Sequence, residues 1–328
     1  MDKSKVYFIK LNELNKVKNL LPEFASPLGV KVHFGEEGNI TYLPASYVKE
    51  IVEMVKNPVL IEGNVLYKSP RAKAGTHREL ASKHGFNFAP IDFLDGETGD
   101  DATGIKIDGK HFKECWLGSG LAKYKSLLVV SHFKGHISAG FGGAIKNLSM
   151  GLASRRGKLA QHAFVKHQVD PEKCIACGQC VICCPVEAIS FNKEQKAEIN
   201  QNKCISCSKC ISICPVDAID IPWGEKDVRV FRQRLAEYAL AGIKDKQCFY
   251  INFLINITKL CDCAGEEMGK MTDDIGVLVS ADPIAIDQAS YDLVVKQCEK
   301  FKEQNGDEQL EHGEEIGLGT REYELINA

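Results

Sequence analysis

Short runs of β-branched and aromatic residues recur along the first half of the chain, separated by segments with helical periodicity. Val6–Ile9, Val30–Phe34, Val59–Ile61, Ile91–Leu94 and Leu127–Val130 have the length and composition of strands. Between them, Ser46–Lys56 puts Val48, Ile51, Val52 and Val55 on one helical face. Thr76-His77-Arg78-Glu79 reads as a capping box opening a helix that closes at His84-Gly85. The pattern resumes after Pro222. Val228–Ala241 is helical, Phe249–Ile257 and Ile275–Val279 are strand-like, and Ile284–Cys298 predicts a long helix with Pro283 in its first turn and Asp282 as its cap. The acidic stretch Glu303–Glu315 reads as a solvated helix face and loop. This alternation predicts an α/β fold, a mainly parallel sheet with flanking helices.

An internal repeat interrupts that pattern. Lys173–Ile189 reads KCIACGQCVICCPVEAI and Lys203–Ile219 reads KCISCSKCISICPVDAI, with strand-like Glu198-Ile199 between them. Each copy has the spacing C-x₂-C-x₂-C-x₃-C-P of bacterial-type ferredoxins, where four thiolates hold a cubane and the fourth cysteine of each run ligates the other cluster. The expectation is two [4Fe–4S] clusters, one on Cys174, Cys177, Cys180 and Cys214, the other on Cys204, Cys207, Cys210 and Cys184. Zinc sites instead pair C-x₂-C units across a spacer. Cys183 aligns with Ile213 and reads as a small buried hydrophobe. Residues 168–222 are expected to form an inserted small α+β two-cluster ferredoxin domain, with 1–167 and 223–328 folding together around it.

The chain's 328 residues suffice for roughly two domains, and 44% hydrophobic with 26% charged residues fits a soluble globular protein. A net charge of −3 gives no general attraction to nucleic acid or to an anionic membrane. The start, MDKSKVYFIKLNEL, lacks a long apolar region, and no run reaches the length of a membrane span, so a cytoplasmic location is expected. Nine of the fourteen cysteines lie between Cys174 and Cys214, which points to metal ligation in a reducing compartment and not to disulfides.

A second constellation lies in the α/β part. Residues 131–162 hold His132, His136, Lys146 and His162 around the turn Gly140-Phe141-Gly142-Gly143, just after a strand. Loops at the carboxyl ends of parallel strands are where α/β proteins build sites, and Gly140, Gly142 and Gly143 permit close backbone approach to a ligand. A ligand- or metal-binding pocket is expected here; the alternative is a tight turn with surface histidines. Cys261 and Cys263 are candidates for a soft metal or a redox partner, or are two packed thiols. Asp287 is a further candidate for the site.

These residues carry a family resemblance. SHFKGH (Ser131–His136), AGFGGAIKN (Ala139–Asn147), the cysteine repeat, CDC (Cys261–Cys263), SADPIAIDQAS (Ser280–Ser290) and IGLGTREYEL (Ile316–Leu325) resemble the DUF362 proteins over nearly the full length. The resemblance implies the inserted-ferredoxin architecture and supplies no established reaction. More distantly, HISAGFGGAIK (His136–Lys146) with His162 beyond it is similar to the His-x-x-AGFSGG-x-Lys…His pattern of nickel-pincer lactate racemases. In that family the first histidine transfers a proton, the lysine tethers the pincer cofactor and the later histidine binds nickel. The matching positions are His136, Lys146 and His162. The chain departs from that pattern in offering no second catalytic histidine near Pro90-Ile91-Asp92 and in its ferredoxin repeat. The resemblance implies a shared fold with a pocket at the same place.

The function expected is electron transfer: a redox enzyme or electron-delivering component in which two [4Fe–4S] clusters feed the pocket, working with a redox partner protein or a small-molecule donor or acceptor. The alternatives are a non-catalytic ferredoxin-like carrier and a metal- or cofactor-handling protein with a further metal or small ligand in the α/β part.

Overall fold

Eight strands form the central sheet of the computed structural model, which describes residues 3–67, 69–162, 167–184, 186–204, 209–220, 228–263 and 268–328. In chain order they are β1 (Ser4–Ile9), β2 (Leu28–Lys31), β3 (Pro58–Glu62), β4 (Ile91–Phe93), β5 (Ser126–His132), β6 (Gln247–Leu254), β7 (Gly276–Ser280) and β8 (Tyr323–Asn327). Their order across the sheet is β8-β1-β7-β6-β5-β2-β3-β4. Only β7 runs antiparallel to its neighbours, β1 and β6; every other pair is parallel. The mainly parallel α/β fold expected from the alternation is the one observed.

The central strand shows why the sequence folds this way. All seven residues of β5, SLLVVSH, are buried, as expected of a strand covered on both faces. Leu127 and Val129 point into one core and Leu128 and Val130 into the other. On the first face lie helices α3 (Ala144–Leu152), α4 (Arg155–His162), α5 (Val228–Ile243), α6 (Pro283–Gln297) and α7 (Asp307–Glu315). On the second lie α1 (Ala45–Val52) and α2 (Ala74–Lys83).

Several boundaries differ from expectation. β2 begins at Leu28 and stops at Lys31, so Val32–Phe34 run past its end. Helix α1 stops at Val52 and not at Lys56. Helix α2 starts at Ala74, ahead of the supposed capping box, and the Thr76 hydroxyl donates to the Pro70 and Lys73 carbonyls. The acidic stretch is solvated on one face, where Glu303, Glu311 and Glu315 are exposed, but its helix buries the other. In α7, Gln309, Leu310 and His312 are buried, and Glu308 meets Arg232 of α5 at 2.7 Å. The charges there complement a neighbour, which a composition reading cannot see. Asp282 does cap α6, accepting from the Ile284 and Ala285 amides.

The repeat is visible in the backbone. Its two short helices are Gln179–Cys183 and Lys209–Ile213, and its strands pair as Gln168–Val169 with Ile219–Asp220 and Ile189–Phe191 with Ala197–Ile199. Equivalent bonds recur in the two copies. Asp170 N–H donates to Ala218 O and Asn200 N–H to Ala188 O, both at 2.7 Å. Glu187 and Asp217, at matching places, both take positive φ (50° and 49°). These residues have a core of their own, built around Cys174, Cys180, Ile189, Ile199, Cys210 and Ile219. The joins to the rest of the chain, 163–166 and 221–227, and Cys207 lie outside the described residues.

Asp287 plays a structural part at the turn into α3. Its carboxylate accepts from Ala144 N (2.7 Å) and Ile145 N (2.9 Å), the first amides of that helix, and from Asn252 Nδ2 (2.7 Å). Helix-end amides need such an acceptor. A β-carbon at Gly143 would collide with this carboxylate, so glycine there reflects packing. Asp287→Ala would strand three buried donors. Chemical denaturation should show a loss of about 1–3 kcal/mol, and unchanged stability would contradict the capping role.

Candidate functional site

Strands β2, β3 and β5 are parallel neighbours, so their carboxyl ends share one edge of the sheet. A cavity of about 420 Å³ opens there. Lys31 ends β2, with His33 just beyond it; Glu62 ends β3; Ser131 and His132 end β5. Helix α3 contributes Lys146 and Asn147, helix α4 contributes Lys158 and His162, and Phe231 of α5 completes that wall. Ile211, next to Cys210 in the cysteine repeat, also lines the cavity.

The four side chains singled out from sequence, His132, His136, Lys146 and His162, all line this one cavity. Gly142, Gly143 and Cys263 do too. Gly140 is not part of the lining. It has φ +84°, and its Cα faces the Asn305–Gly306 backbone so closely that no side chain would fit. Cys261 is likewise outside the lining but joined to Cys263 in a disulfide.

The histidines differ in what they have left to offer. His132 is buried, with Nδ1 at 2.8 Å from Asp262 Oδ1 and Nε2 at 2.7 Å from the Ile255 carbonyl. Both ring nitrogens are spent on acceptors, so His132 positions the Asp262 loop and has no nitrogen for a ligand. His136 is the reverse. Its Nδ1 accepts from the Ser138 (3.1 Å) and Ala139 (2.9 Å) amides, which makes Nε2 the protonated nitrogen of the neutral ring. Burial, with Lys146 and other cations nearby, holds its pKa well below the ordinary value, so the ring stays neutral. The rings of His136 and His162 both stack on Phe231, at 6.5 and 5.0 Å between centroids.

Cations dominate the walls. Lys31 Nζ donates to Glu62 Oε1 at 2.7 Å and to Asn147 Oδ1 at 2.8 Å, and Arg71 Nη2 meets Glu62 Oε2 at 2.9 Å. Lys134 meets Asp262 at 2.9 Å and Lys158 meets Asp95 at 3.6 Å. Burial works to raise the Asp262 pKa, but His132 and Lys134 together pull it well below the usual carboxylate range. Burial and Lys134 lower the Lys146 pKa to about 7. No hydrogen bond or ion pair of the Lys146 amine is found among the described residues, so it faces the cavity. Lys31, Glu62, Arg71, Lys134 and Lys158 were not singled out from the sequence. The usable signal was a single charged residue closing an apolar strand, as in LGVK and VLIE.

Among the described residues, two groups of side chains lie close enough to hold a metal ion. One is His136, Cys261 and Cys263, and the other is His111, Glu237 and His312. In the second, Glu237 accepts from the His111 and Phe112 amides and from His312 Nε2, so internal bonds already account for it. In the cysteine repeat, a small cavity of about 20 Å³ is lined by Cys174, Cys177, Cys180 and Cys214. Backbone amides point at sulfur in both copies: Ala188 N to Cys184 Sγ and Ala218 N to Cys214 Sγ, each at 3.2 Å.

Sheet order and cavity together define a mixed α/β protein with a cation-rich pocket at its strand ends. The chain belongs to the DUF362 family, described as a domain of unknown function, whose model matches residues 28–292. No curated protein matches it. Among solved structures, the lactate racemase apoprotein from Thermoanaerobacterium thermosaccharolyticum is similar at a TM-score of 0.36 and 12% identity, over 75% of this chain and 46% of that one. A protein from Thermotoga maritima gives a TM-score of 0.38 and 10% identity, over 92% and 58% of the two chains. The chain spans about half the length of the solved structures it matches. Among the described residues, no helix is long and apolar enough to cross a membrane.

The lowered Lys146 pKa gives a direct test. Below about pH 7 the amine is a cation, and above it a free nucleophile. Acylation of Lys146, followed by peptide mass spectrometry, should reach half its maximal rate near that pH. Surface lysines should follow the ordinary value of about 10.4. Labelling of Lys146 only alongside the surface lysines would contradict a desolvated amine.

Proposed function

We propose that this chain is an iron–sulfur electron-transfer protein with two [4Fe–4S] clusters beside a substrate pocket in its α/β part. Cys174, Cys177, Cys180 and Cys214 would hold one cluster, and Cys204, Cys207, Cys210 and Cys184 the other. Residues 168–222 would then be a ferredoxin-like insert in an α/β body made of 1–167 and 223–328. The observation that carries this reading is the cavity shared by Cys174, Cys177, Cys180 and Cys214, three sulfurs from one copy and the fourth from the other. That crossed set is the one the spacing requires. The donor chemistry fits: the sulfurs are grouped, partly buried, and accept amide N–H bonds of the kind that tune cluster potential.

Bound clusters would supply one-electron transfer. The chain's own residues account for the rest of the site. Ile211 follows Cys210 and lines the pocket, so the repeat abuts the cavity without a linker between. Lys146 and its cationic neighbours attract and orient an anion. His136 presents a fixed Nε2–H as a hydrogen-bond donor. A redox enzyme needs this combination, and a bare carrier does not. The donor of electrons would be a redox partner protein or a small molecule, in a reducing, cytoplasmic setting.

Anaerobically reconstituted protein should contain about eight iron and eight acid-labile sulfide per chain and give coupled EPR signals on reduction. Cys184→Ser should lose or convert one cluster, while Cys183→Ser keeps both, because Cys183 Sγ is turned to the Cys180 carbonyl at 3.4 Å. About four iron in fully loaded protein would contradict the assignment.

A further inference from the structure

A redox-capable group outside the repeat, the Cys261–Cys263 disulfide, borders the pocket through Cys263. Its two sulfurs sit differently. Cys261 is buried at 6% exposure, whereas Cys263 is half-buried and lines the cavity. Asp262 between them is locked by His132 and Lys134, and its carbonyl accepts from Glu36 N at 3.1 Å. The pair is therefore held on a fixed loop. A His136 ring nitrogen lies within 4.8 Å of both sulfurs. With Nδ1 accepting two backbone amides, His136 turns an N–H toward its surroundings and not a lone pair. That arrangement suits a thiolate, which accepts a hydrogen bond from the ring, better than a metal, which needs a lone pair from it.

We propose that Cys261 and Cys263 form a two-electron dithiol/disulfide couple, with Cys263 as the attacking sulfur, that reduces a small anionic disulfide bound at Lys146, with Lys134 beside it. The reduced pair reacts by thiol–disulfide exchange. The Cys263 thiolate attacks one substrate sulfur, the substrate S–S bond breaks, and the first product leaves as a thiolate that accepts a hydrogen bond from the neutral His136 ring N–H and takes its proton from solvent. The Cys261 thiolate then attacks the Cys263 sulfur, which releases the second product as a thiol after protonation from solvent and re-forms the Cys261–Cys263 bond. Regeneration takes two electrons and two protons, which convert the disulfide to two thiols. The electrons come from a low-potential one-electron donor acting twice; that part rests on the cluster reading above, in which two clusters hold the two electrons.

The test uses full-length, anaerobically reconstituted protein. Oxidised samples are alkylated before and after reduction with a photoreduced deazaflavin, and the peptide spanning 261–263 is weighed. The expected result is no label before reduction and two labels after it. Total uptake should be about four electrons per chain, two for the clusters and two for the disulfide, falling to about two in Cys263→Ser with iron content unchanged. The reduced pair should then be reoxidised by 3,3′-dithiodipropionate at least tenfold faster than by its neutral diamide. Two labels before any reductant, or equal electron uptake in Cys263→Ser, would overturn the couple. A stoichiometric metal that protects both cysteines and is lost in Cys263→Ser would also overturn it. Equal reoxidation by the two disulfides would overturn the anionic substrate. Failure of the cluster reading registers separately, as absent iron in a chain whose 261–263 pair still cycles with dithiothreitol.

Discussion

The buried Asp262 carboxylate ties the pocket together. It lies one residue from each of two cysteines, faces His132 at the end of the central strand, and ion-pairs with Lys134, which lies in the hairpin pairing Lys134–His136 with Gly140–Gly142. Removing a carboxylate from such a setting would leave buried positive charge uncompensated, at a cost of about 3–5 kcal/mol. The result is that the Cys261–Cys263 loop and the β5 end cannot move independently. Glu62 does the matching work on the other wall, holding Lys31 and Arg71. Even so, the cavity lining carries more cationic than anionic side chains, and burial first, with Lys134 second, lowers the pKa of Lys146.

Most of the fold was legible in the chain because buried parallel strands leave a plain mark. LLVV within β5 has no polar interruption, and the periodicity of Val228–Ala241 and Ile284–Cys298 located α5 and α6 closely. What failed depended on partners distant in sequence. The acidic 307–315 helix buries Leu310 in the core and pairs Glu308 with Arg232, and Thr76 bonds backward to Pro70 and Lys73 instead of capping. Strand direction was only partly readable: nothing local distinguishes β7, the antiparallel strand, from its parallel neighbours.

The pocket was legible in part for the same reason. His132, His136, Lys146 and His162 cluster in one segment, so connectivity alone brought them to one strand end. Their roles were not legible. Which histidine has a nitrogen to spare is decided by Asp262 and the Ile255 carbonyl for His132, and by two local amides for His136. Gly140 and Gly143 read as ligand-approach glycines, yet close packing on Asn305 and Asp287 explains them. Lys31, Glu62 and Arg71 come from other strands and loops, and only the folded sheet collects them.

Iron-edge anomalous diffraction from crystals grown without oxygen tests the central claim most directly. The account predicts two separate iron peaks, one enclosed by Cys174, Cys177, Cys180 and Cys214 and the other by Cys204, Cys207, Cys210 and Cys184, the second on the side of the repeat that carries Ile211 to the pocket. A single peak, or anomalous signal only at the zinc edge, would contradict it.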